Sequence, residues 1–261
     1  MYNDFYGKGN CIDKLIDCNN RGIDEVCSDA DNFCYGVESI FDTVTGRDEY
    51  DIRELQPDPF PYTSFVAYLN QPSVQKAIGA FTNFSYAVTN LGAGTVSTAF
   101  GTTGDDARHF DIIADNQKLV AAGVTVLHYA GDADYNCNWL DGEAVAAEIN
   151  APGFTKAGYQ NLTTSDRIVH GVVKQAGGYS FVRVYDSGHS VPFYQPLAAL
   201  TMFQRMLAAA DIATGKVAAA KTYLSIGPAK STHKNDPSTI QQAVLDPSCT
   251  YNTKTNRPVC P

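Results

Sequence analysis

Four cysteines near the amino terminus impose the tightest restriction on how this 261-residue chain can fold. Cys11, Cys18, Cys27 and Cys34 are separated by gaps of 7, 9 and 7 residues. Zinc sites usually bring two cysteines closer in sequence, so this spacing argues against a metal site. The symmetric spacing fits two antiparallel arms joined by two disulfides, and the equal outer gaps favour the nested pairing. The alternative is four unrelated buried thiols.

A disulfide framework places the chain in an oxidising compartment. Two N-glycosylation sequons, at Asn83 and Asn161, agree with the secretory pathway, and hence with a secreted or vacuolar protein. The first residues are polar and contain no apolar signal-peptide core, so we expect the natural chain to begin further upstream. The alternative is a cytosolic protein with inert thiols.

The composition argues against two kinds of partner. The chain has 19 Lys and Arg against 28 Asp and Glu, and its net charge of -9 disfavours binding to nucleic acid. No stretch approaches the roughly 18 consecutive apolar residues of a membrane span. The 44% hydrophobic content is enough to bury one sizeable core.

Helices that alternate with strands indicate an α/β fold. We predict a Cys-rich cap segment at residues 1–50, the core at 51–215 and an irregular tail at 216–261, in which Cys249 and Cys260 can close a small loop. The strand predicted at 124–130 is apolar on both sides, as buried parallel strands are. Apolar periodicity predicts two further strands, at 168–174 and 179–185, and five helices, at 64–69, 73–78, 106–122, 139–149 and 195–210.

Two loops that follow predicted strands carry titratable side chains. Asp132 and Asp134 follow the first strand and His189 follows the last, at the strand ends where α/β sheets bind ligands. The order Asp then His matches the end of the Ser–Asp–His order of α/β-hydrolases, because a carboxylate orients the histidine. The G-x-S-x-G motif that presents the serine is absent. The alternative is that the aspartates cap a helix and that His189 is a turn residue.

The segments around these residues resemble serine carboxypeptidases of the carboxypeptidase Y type. The match with the catalytic-Asp segment is AGDADYNCNWL at 130–140, and the match with the catalytic-His segment is SGHSVPF at 187–193. Stretches at 50–53 and 68–79 resemble the connection between the family's cap and its late core. The similarity covers roughly residues 5–210 and is most marked with the secreted fungal branch.

The resemblance implies an α/β-hydrolase fold, incomplete here and limited to the late core strands and helices, with a disulfide-stapled cap segment. The family pairs the cysteines in the nested way, Cys11 with Cys34 and Cys18 with Cys27. Asp134 would be the catalytic acid and His189 the catalytic base, with Asp132 shaping the loop.

Four more residues are assigned to substrate binding through the same resemblance. Cys137 matches an unpaired cysteine that lines the substrate pocket, and Tyr50 matches a tyrosine in the pocket of the leaving residue. Asn136 replaces an apolar residue, and Ser190 replaces a larger or charged one. These two changes predict a more polar pocket than is usual in the family.

The implied reaction is the release of single amino acids from the carboxyl termini of peptides. The nucleophilic serine would lie in the N-terminal part of the same enzyme, which is then a partner of this chain alongside its peptide substrates. We expect no metal and no organic cofactor, and we expect the chain alone to be inactive. The alternatives are an acyltransferase on the same scaffold and a non-catalytic, truncated binding protein.

Overall fold

The structure is a computed structural model that describes residues 2–56, 64–84, 96–108, 112–240, 250–252 and 257–259. The chain divides into two compact units, Met1–Val44 with Asp58–Phe110 and Thr45–Pro57 with Asp111–Pro261. The loop predicted for Cys249 and Cys260 lies outside the described residues. Within them, no helix combines the length and the apolar character needed to span a membrane.

The first unit is helical and is held together by two disulfides. Cys11 pairs with Cys34 and Cys18 with Cys27, which is the nested arrangement and makes helices α2 (Cys11–Arg21) and α3 (Asp24–Glu38) antiparallel. A gap of seven residues is about two helical turns, so each helix presents both of its cysteines on one face. The helices from this part of the chain are α1 (Tyr2–Tyr6), α2 (Cys11–Arg21), α3 (Asp24–Glu38), α4 (Ile40–Thr45), α5 (Ser64–Leu69), α6 (Pro72–Ile78) and α7 (Val96–Thr103).

The second unit contains a mixed sheet of four strands, which are β1 (Val126–Gly131), β2 (Gln160–Thr163), β3 (Val169–Ala176) and β4 (Tyr179–Val184). Their order in the sheet is β1-β4-β3-β2. β1 and β4 are parallel, whereas β3 is antiparallel to both of its neighbours. β5 (Thr250–Asn252) pairs separately with β6 (Arg257–Val259). The helices are α8 (Ile112–Ala121), α9 (Trp139–Ile149), α10 (Val191–Tyr194) and α11 (Pro196–Leu207).

Strand β4 supplies side chains to both faces of the sheet. Tyr179 and Phe181 pack with Ile149 of α9 on one face. Val182 and Val184 pack with Met202 of α11 on the other. Because side chains alternate along a strand, β4 presents apolar side chains to the helices on both faces, and Ser180 and Arg183 are its buried polar positions. This α/β arrangement, with helices on both faces of a mixed sheet, is consistent with the predicted α/β-hydrolase fold.

Several predicted bounds differ from the structure. The helix predicted at 139–149 has the bounds Trp139–Ile149. The helix predicted at 106–122 corresponds to α8, which begins only at Ile112. β1 is less buried than predicted, and Tyr129 is 42% exposed, because β1 lies at the edge of the described sheet. The sequence did not predict β2, whose polar residues give it no clear apolar alternation.

The segment after α11 has little regular structure but packs closely on the sheet. Leu224 forms an isolated β-bridge with Ala176 of β3. The Ser225 hydroxyl donates to the carbonyl of Gly158 at 2.7 Å, and the Gln175 side-chain oxygen accepts from the Ile212 amide at 2.8 Å. The predicted tail is therefore largely irregular up to residue 240 and attached to the core through Leu224 and Ser225, whereas β5 and β6 form a short antiparallel pair that the sequence did not predict.

Substitution of Gly104 by alanine tests the packing of the first unit, with Gly79 as the matched control. Both glycines are left-handed, with φ of 65° and 71°, where alanine is strained by about 1–2 kcal/mol. A methyl group on Gly104 would also lie 2.1 Å from the Cys27 carbonyl carbon, whereas no described neighbour lies within 4 Å at Gly79. We expect Gly104→Ala to lower the free energy of unfolding by about 2–5 kcal/mol and Gly79→Ala by about 1–2. Equal losses in denaturant unfolding would contradict this packing.

Candidate active site

Asp134 and His189 meet beyond the carboxyl ends of two adjacent parallel strands. Gly131 at the end of β1 pairs with Val184 at the end of β4, so the two following loops begin side by side. Asp134 Oδ2 lies 3.0 Å from His189 Nδ1. The Asp134 side chain is 3% exposed and the His189 side chain 41%. The geometry is that of an orienting carboxylate behind an accessible imidazole.

The aspartate loop is fixed by its own backbone and by the helix that follows it. Asp134 Oδ1 accepts the amide hydrogen of Cys137 at 3.2 Å. The side chain of Asn138 caps α9, because it accepts from the amides of Leu140 and Asp141 at 3.1 Å. The cap is therefore provided by Asn138, and the alternative of Asp132 or Asp134 as the helix cap is wrong.

A short backbone segment, Glu49 to Ile52, holds both loops. The Tyr50 carbonyl accepts the amide hydrogen of His189 at 2.8 Å, and the Ile52 amide donates to the Ala133 carbonyl at 2.9 Å. The Glu49 carbonyl accepts two more amides of the aspartate loop, at 3.0 and 3.1 Å. Residues up to 50 were predicted to belong to the cap segment, and this role was not predicted, because backbone contacts leave no side-chain signal in a sequence.

The approach of Tyr50 to the histidine loop requires glycine at position 188. A methyl group on Gly188 would lie 2.4 Å from the Tyr50 carbonyl oxygen. The Tyr50 ring contacts the His189 imidazole edge-on, with 5.1 Å between ring centroids. Tyr50, predicted to line the substrate pocket, thus lies directly against His189.

Asp132, two residues before Asp134, faces a different environment. It is buried and pairs with Arg183 of β4, with 3.2 Å between Oδ2 and Nη2. The Asn235 side-chain amide donates to Asp132 Oδ1 at 2.9 Å. Burial raises the pKa of Asp132, and the hydrogen bonds from Asn235 and Arg183 oppose that shift only in part. Neither Arg183 nor Asn235 was identified from the sequence.

Asp134 and Cys137 set the charge state of His189. The hydrogen bond to Asp134 is the largest influence, and that to Cys137 the next; together they raise the pKa of His189 to about 10, against the opposing effect of burial. Both contacts favour the imidazolium form, which is the form that an orienting carboxylate stabilises during proton transfer.

The remaining predicted site residues are distributed around this pair. Cys137 is exposed and is the free cysteine of the described residues. Asn136 and Cys137 line a cavity of about 530 Å³ beside β1 and α9, together with His128. Ser190 does not line that cavity; its carbonyl accepts the Phe193 amide at 2.8 Å at the start of α10.

Comparison with known proteins identifies the family. Residues 9–209 match the family model described as serine carboxypeptidase. The chain is 37% identical to carboxypeptidase S1 homolog B of Arthroderma otae, over 91% of this chain and 39% of the relative. It is 36% identical to carboxypeptidase S1 of Penicillium janthinellum, over 76% of this chain and 46% of the relative. It is also 34% identical to a carboxypeptidase Y homolog of Arthroderma benhamiae, over 94% of this chain and 41% of the relative.

The chain belongs to the serine carboxypeptidase family, as its sequence resemblance predicted. Members of this family are hydrolases. The chain spans about two fifths of the length of the curated relatives it matches.

The Asp134–His189 contact predicts a specific titration in the purified chain. We expect His189 to titrate with a pKa near 10 and the Asp134→Asn variant to lower that pKa, because the largest stabilising contact is lost. The raised pKa stabilises the fold fully below the ordinary histidine value near 6.5, and this contribution is lost as the pH rises through 10. NMR of the imidazole carbons measures the pKa of His189 in the parent chain and in the Asp134→Asn variant. His128, whose pKa is lowered by burial, is the internal control and should not change. A His189 pKa that does not respond to Asp134→Asn would contradict the contact.

Proposed function

We propose that this chain supplies the acid and the base of a serine carboxypeptidase. The observation that carries the proposal is the 3.0 Å contact between Asp134 and His189 at the carboxyl ends of two parallel strands. The carboxylate is buried and the imidazole is exposed, as proton transfer to and from a substrate requires. Membership of the family supplies the reaction class, which is release of single residues from the carboxyl termini of peptides.

In the proposed mechanism, a serine hydroxyl attacks the carbonyl carbon of the scissile bond. His189, in its neutral form, accepts the serine proton and becomes the imidazolium; it then donates this proton to the departing amino acid, which leaves an acyl-enzyme. In the second half of the reaction, His189 activates water and the acyl-enzyme is hydrolysed. Asp134 keeps the Nδ1 proton in place and balances the positive charge that His189 carries in each transition state.

The serine of this mechanism is assigned to an N-terminal part of the same enzyme. The 261 residues contain no G-x-S-x-G motif, and they span about two fifths of the length of the relatives. The N-terminal part is therefore proposed as a partner of this chain. Without it, no acyl-enzyme can form, and we propose that the chain alone is inactive.

Substrate side chains are proposed to bind on both sides of His189. Asn136 and Cys137 would form a wall of the pocket for the penultimate residue, which is supported by the cavity that they line. Tyr50 and Ser190 would lie on the side of the leaving residue, since both flank His189. The amide of Asn136 reduces the penalty for a polar or basic penultimate residue, so specificity would be broad.

The enzyme is proposed to follow the secretory pathway and to be secreted or vacuolar. Two disulfides require an oxidising compartment. Asn83 and Asn161, the first residues of the two sequons, are exposed and open to glycosylation. Mass spectrometry of the protein from its native source, before and after removal of N-glycans, tests this assignment, and an unchanged mass would contradict it.

Substitutions in the enzyme that includes the N-terminal part test the assignment of acid and base. His189→Ala removes the base, and Asp134→Asn allows the wrong tautomer, which lowers turnover by about 10⁴-fold in the comparable protease case. Asp166→Asn is the matched control, because Asp166 also bonds a histidine, His170, at 2.9 Å. Its turnover should stay within a few-fold of the parent enzyme.

Release of the carboxyl-terminal residue from a blocked dipeptide gives the rates. Loss of activity in Asp166→Asn, together with full activity in Asp134→Asn, would contradict the assignment. Acyl transfer without hydrolysis would favour the acyltransferase alternative, and hydrolysis by the isolated chain would refute the missing-serine proposal.

The Asn136→Ile variant tests the pocket for the penultimate residue. An apolar side chain there should favour apolar substrates by about 1–3 kcal/mol per well-buried group. We expect the ratio of kcat/KM for leucine over lysine at the penultimate position to rise at least about fivefold. Asn20→Ile, at an exposed helical position of α2, is the control. An unchanged ratio in Asn136→Ile would mean that this side chain does not face the substrate.

A further inference from the structure

Three different metal-binding side chains converge at the candidate active site. Asp134, Cys137 and His189 each place one ligand atom, an oxygen, a sulfur and a ring nitrogen, within 4.8 Å of the other two. Cys137 and His189 are exposed and Asp134 is buried. A cation could therefore enter from solvent and meet the carboxylate at the base of the site.

The spacing of these atoms is close to that of a tetrahedral zinc site. Zinc binds nitrogen and oxygen at about 2.0 Å and sulfur at about 2.3 Å, which puts tetrahedral ligands roughly 3.3–3.8 Å apart. Asp134 Oδ2 and His189 Nδ1 are already 3.0 Å apart. The Cys137 sulfur lies within 4.8 Å of both atoms, and rotation of this exposed side chain about its single free torsion can bring it closer.

The ligand set selects the class of metal. Thiolate and imidazole ligands favour zinc and similar borderline or soft ions, whereas magnesium and calcium require a shell of oxygen atoms. The second oxygen of Asp134 accepts the Cys137 amide hydrogen at 3.2 Å, and such a supporting contact orients a carboxylate ligand. Three protein ligands leave a fourth position for water.

We propose that Asp134, Cys137 and His189 form a binding site for zinc or a similar divalent ion. The ion bonds to the Cys137 sulfur and to the His189 ring nitrogen that otherwise faces Asp134, and the two protons that these atoms carry are released to solvent. Bound zinc inhibits the peptidase, because the imidazole is then no longer free to accept a proton; this consequence, unlike the binding itself, rests on the proposed function. The ion is an inhibitor and not a cofactor.

Cobalt(II) binding to the metal-free 261-residue chain, with its disulfides intact, tests the site without any measurement of activity. We expect a thiolate-to-cobalt charge-transfer band, which zinc abolishes by displacement. Cys137→Ser should remove the band, and His189→Gln should weaken zinc binding at least about tenfold in calorimetry. His170→Gln is the matched control, because it alters the His170–Asp166 pair, which belongs to no cluster of three metal-binding side chains among the described residues; it should bind like the parent chain.

Two results would overturn the site: no charge-transfer band in the parent chain, or an unchanged band in Cys137→Ser. If Cys137→Ser does not fold, as judged by circular dichroism, blocking the thiol of the folded parent chain with a methylthio group replaces that variant and should also remove the band. In the longer enzyme, zinc should inhibit hydrolysis and a chelator should restore it. Zinc binding without any peptidase activity would contradict the proposed function alone, and full activity with saturating zinc would contradict the inhibition.

Discussion

The buried guanidinium of Arg183 is the interaction on which the second unit depends. It lies at the centre of the sheet, where an unpaired charge is very costly. It is paired with Asp132 at 3.2 Å, donates to the Ser231 hydroxyl and the His233 carbonyl at 3.0 Å, and stacks 4.0 Å from the Trp139 ring. A single cation in β4 therefore connects the loop after β1, through Asp132, to the start of α9 and to the segment that contains Ser231 and His233. Removal of Arg183 would leave Asp132 buried without its cation.

Asp132 and Asp134 therefore have different roles. The amide of Asp132 donates to the Val184 carbonyl at 2.9 Å, which extends the β1–β4 pairing by one residue. Its carboxylate is then directed to Arg183 inside the unit, whereas the carboxylate of Asp134, two residues later, is directed to His189. The position of the candidate acid thus follows from strand register and from the burial of its neighbour.

The sequence was sufficient for the parts of the site that depend on strand ends. Parallel strands bring their following loops together, so chain order suggested that an aspartate after the first strand meets His189, and the family resemblance selected Asp134 over Asp132. It was not sufficient for contacts that are made by backbone atoms or over long distances. The Tyr50 carbonyl and the Asn235 amide have no periodicity or motif, and their partners lie far away in the chain. For the same reason, β2 and the attachment of the late segment were missed.

The structure also contains a second histidine–carboxylate pair, between His170 and Asp166, with which the Asp134–His189 pair can be compared. His170 has both ring nitrogens engaged, by Asp166 at 2.9 Å and by Gln195 at 3.0 Å, and its side chain is only 12% exposed. A proton exchanged with a substrate would break one of these bonds. His189 has Asp134 at Nδ1 and is 41% exposed, so its ring can reach a ligand while the carboxylate stays in place. The same pair of residue types therefore forms a closed structural contact at His170 and an open site at His189, and only the open site is suited to proton transfer.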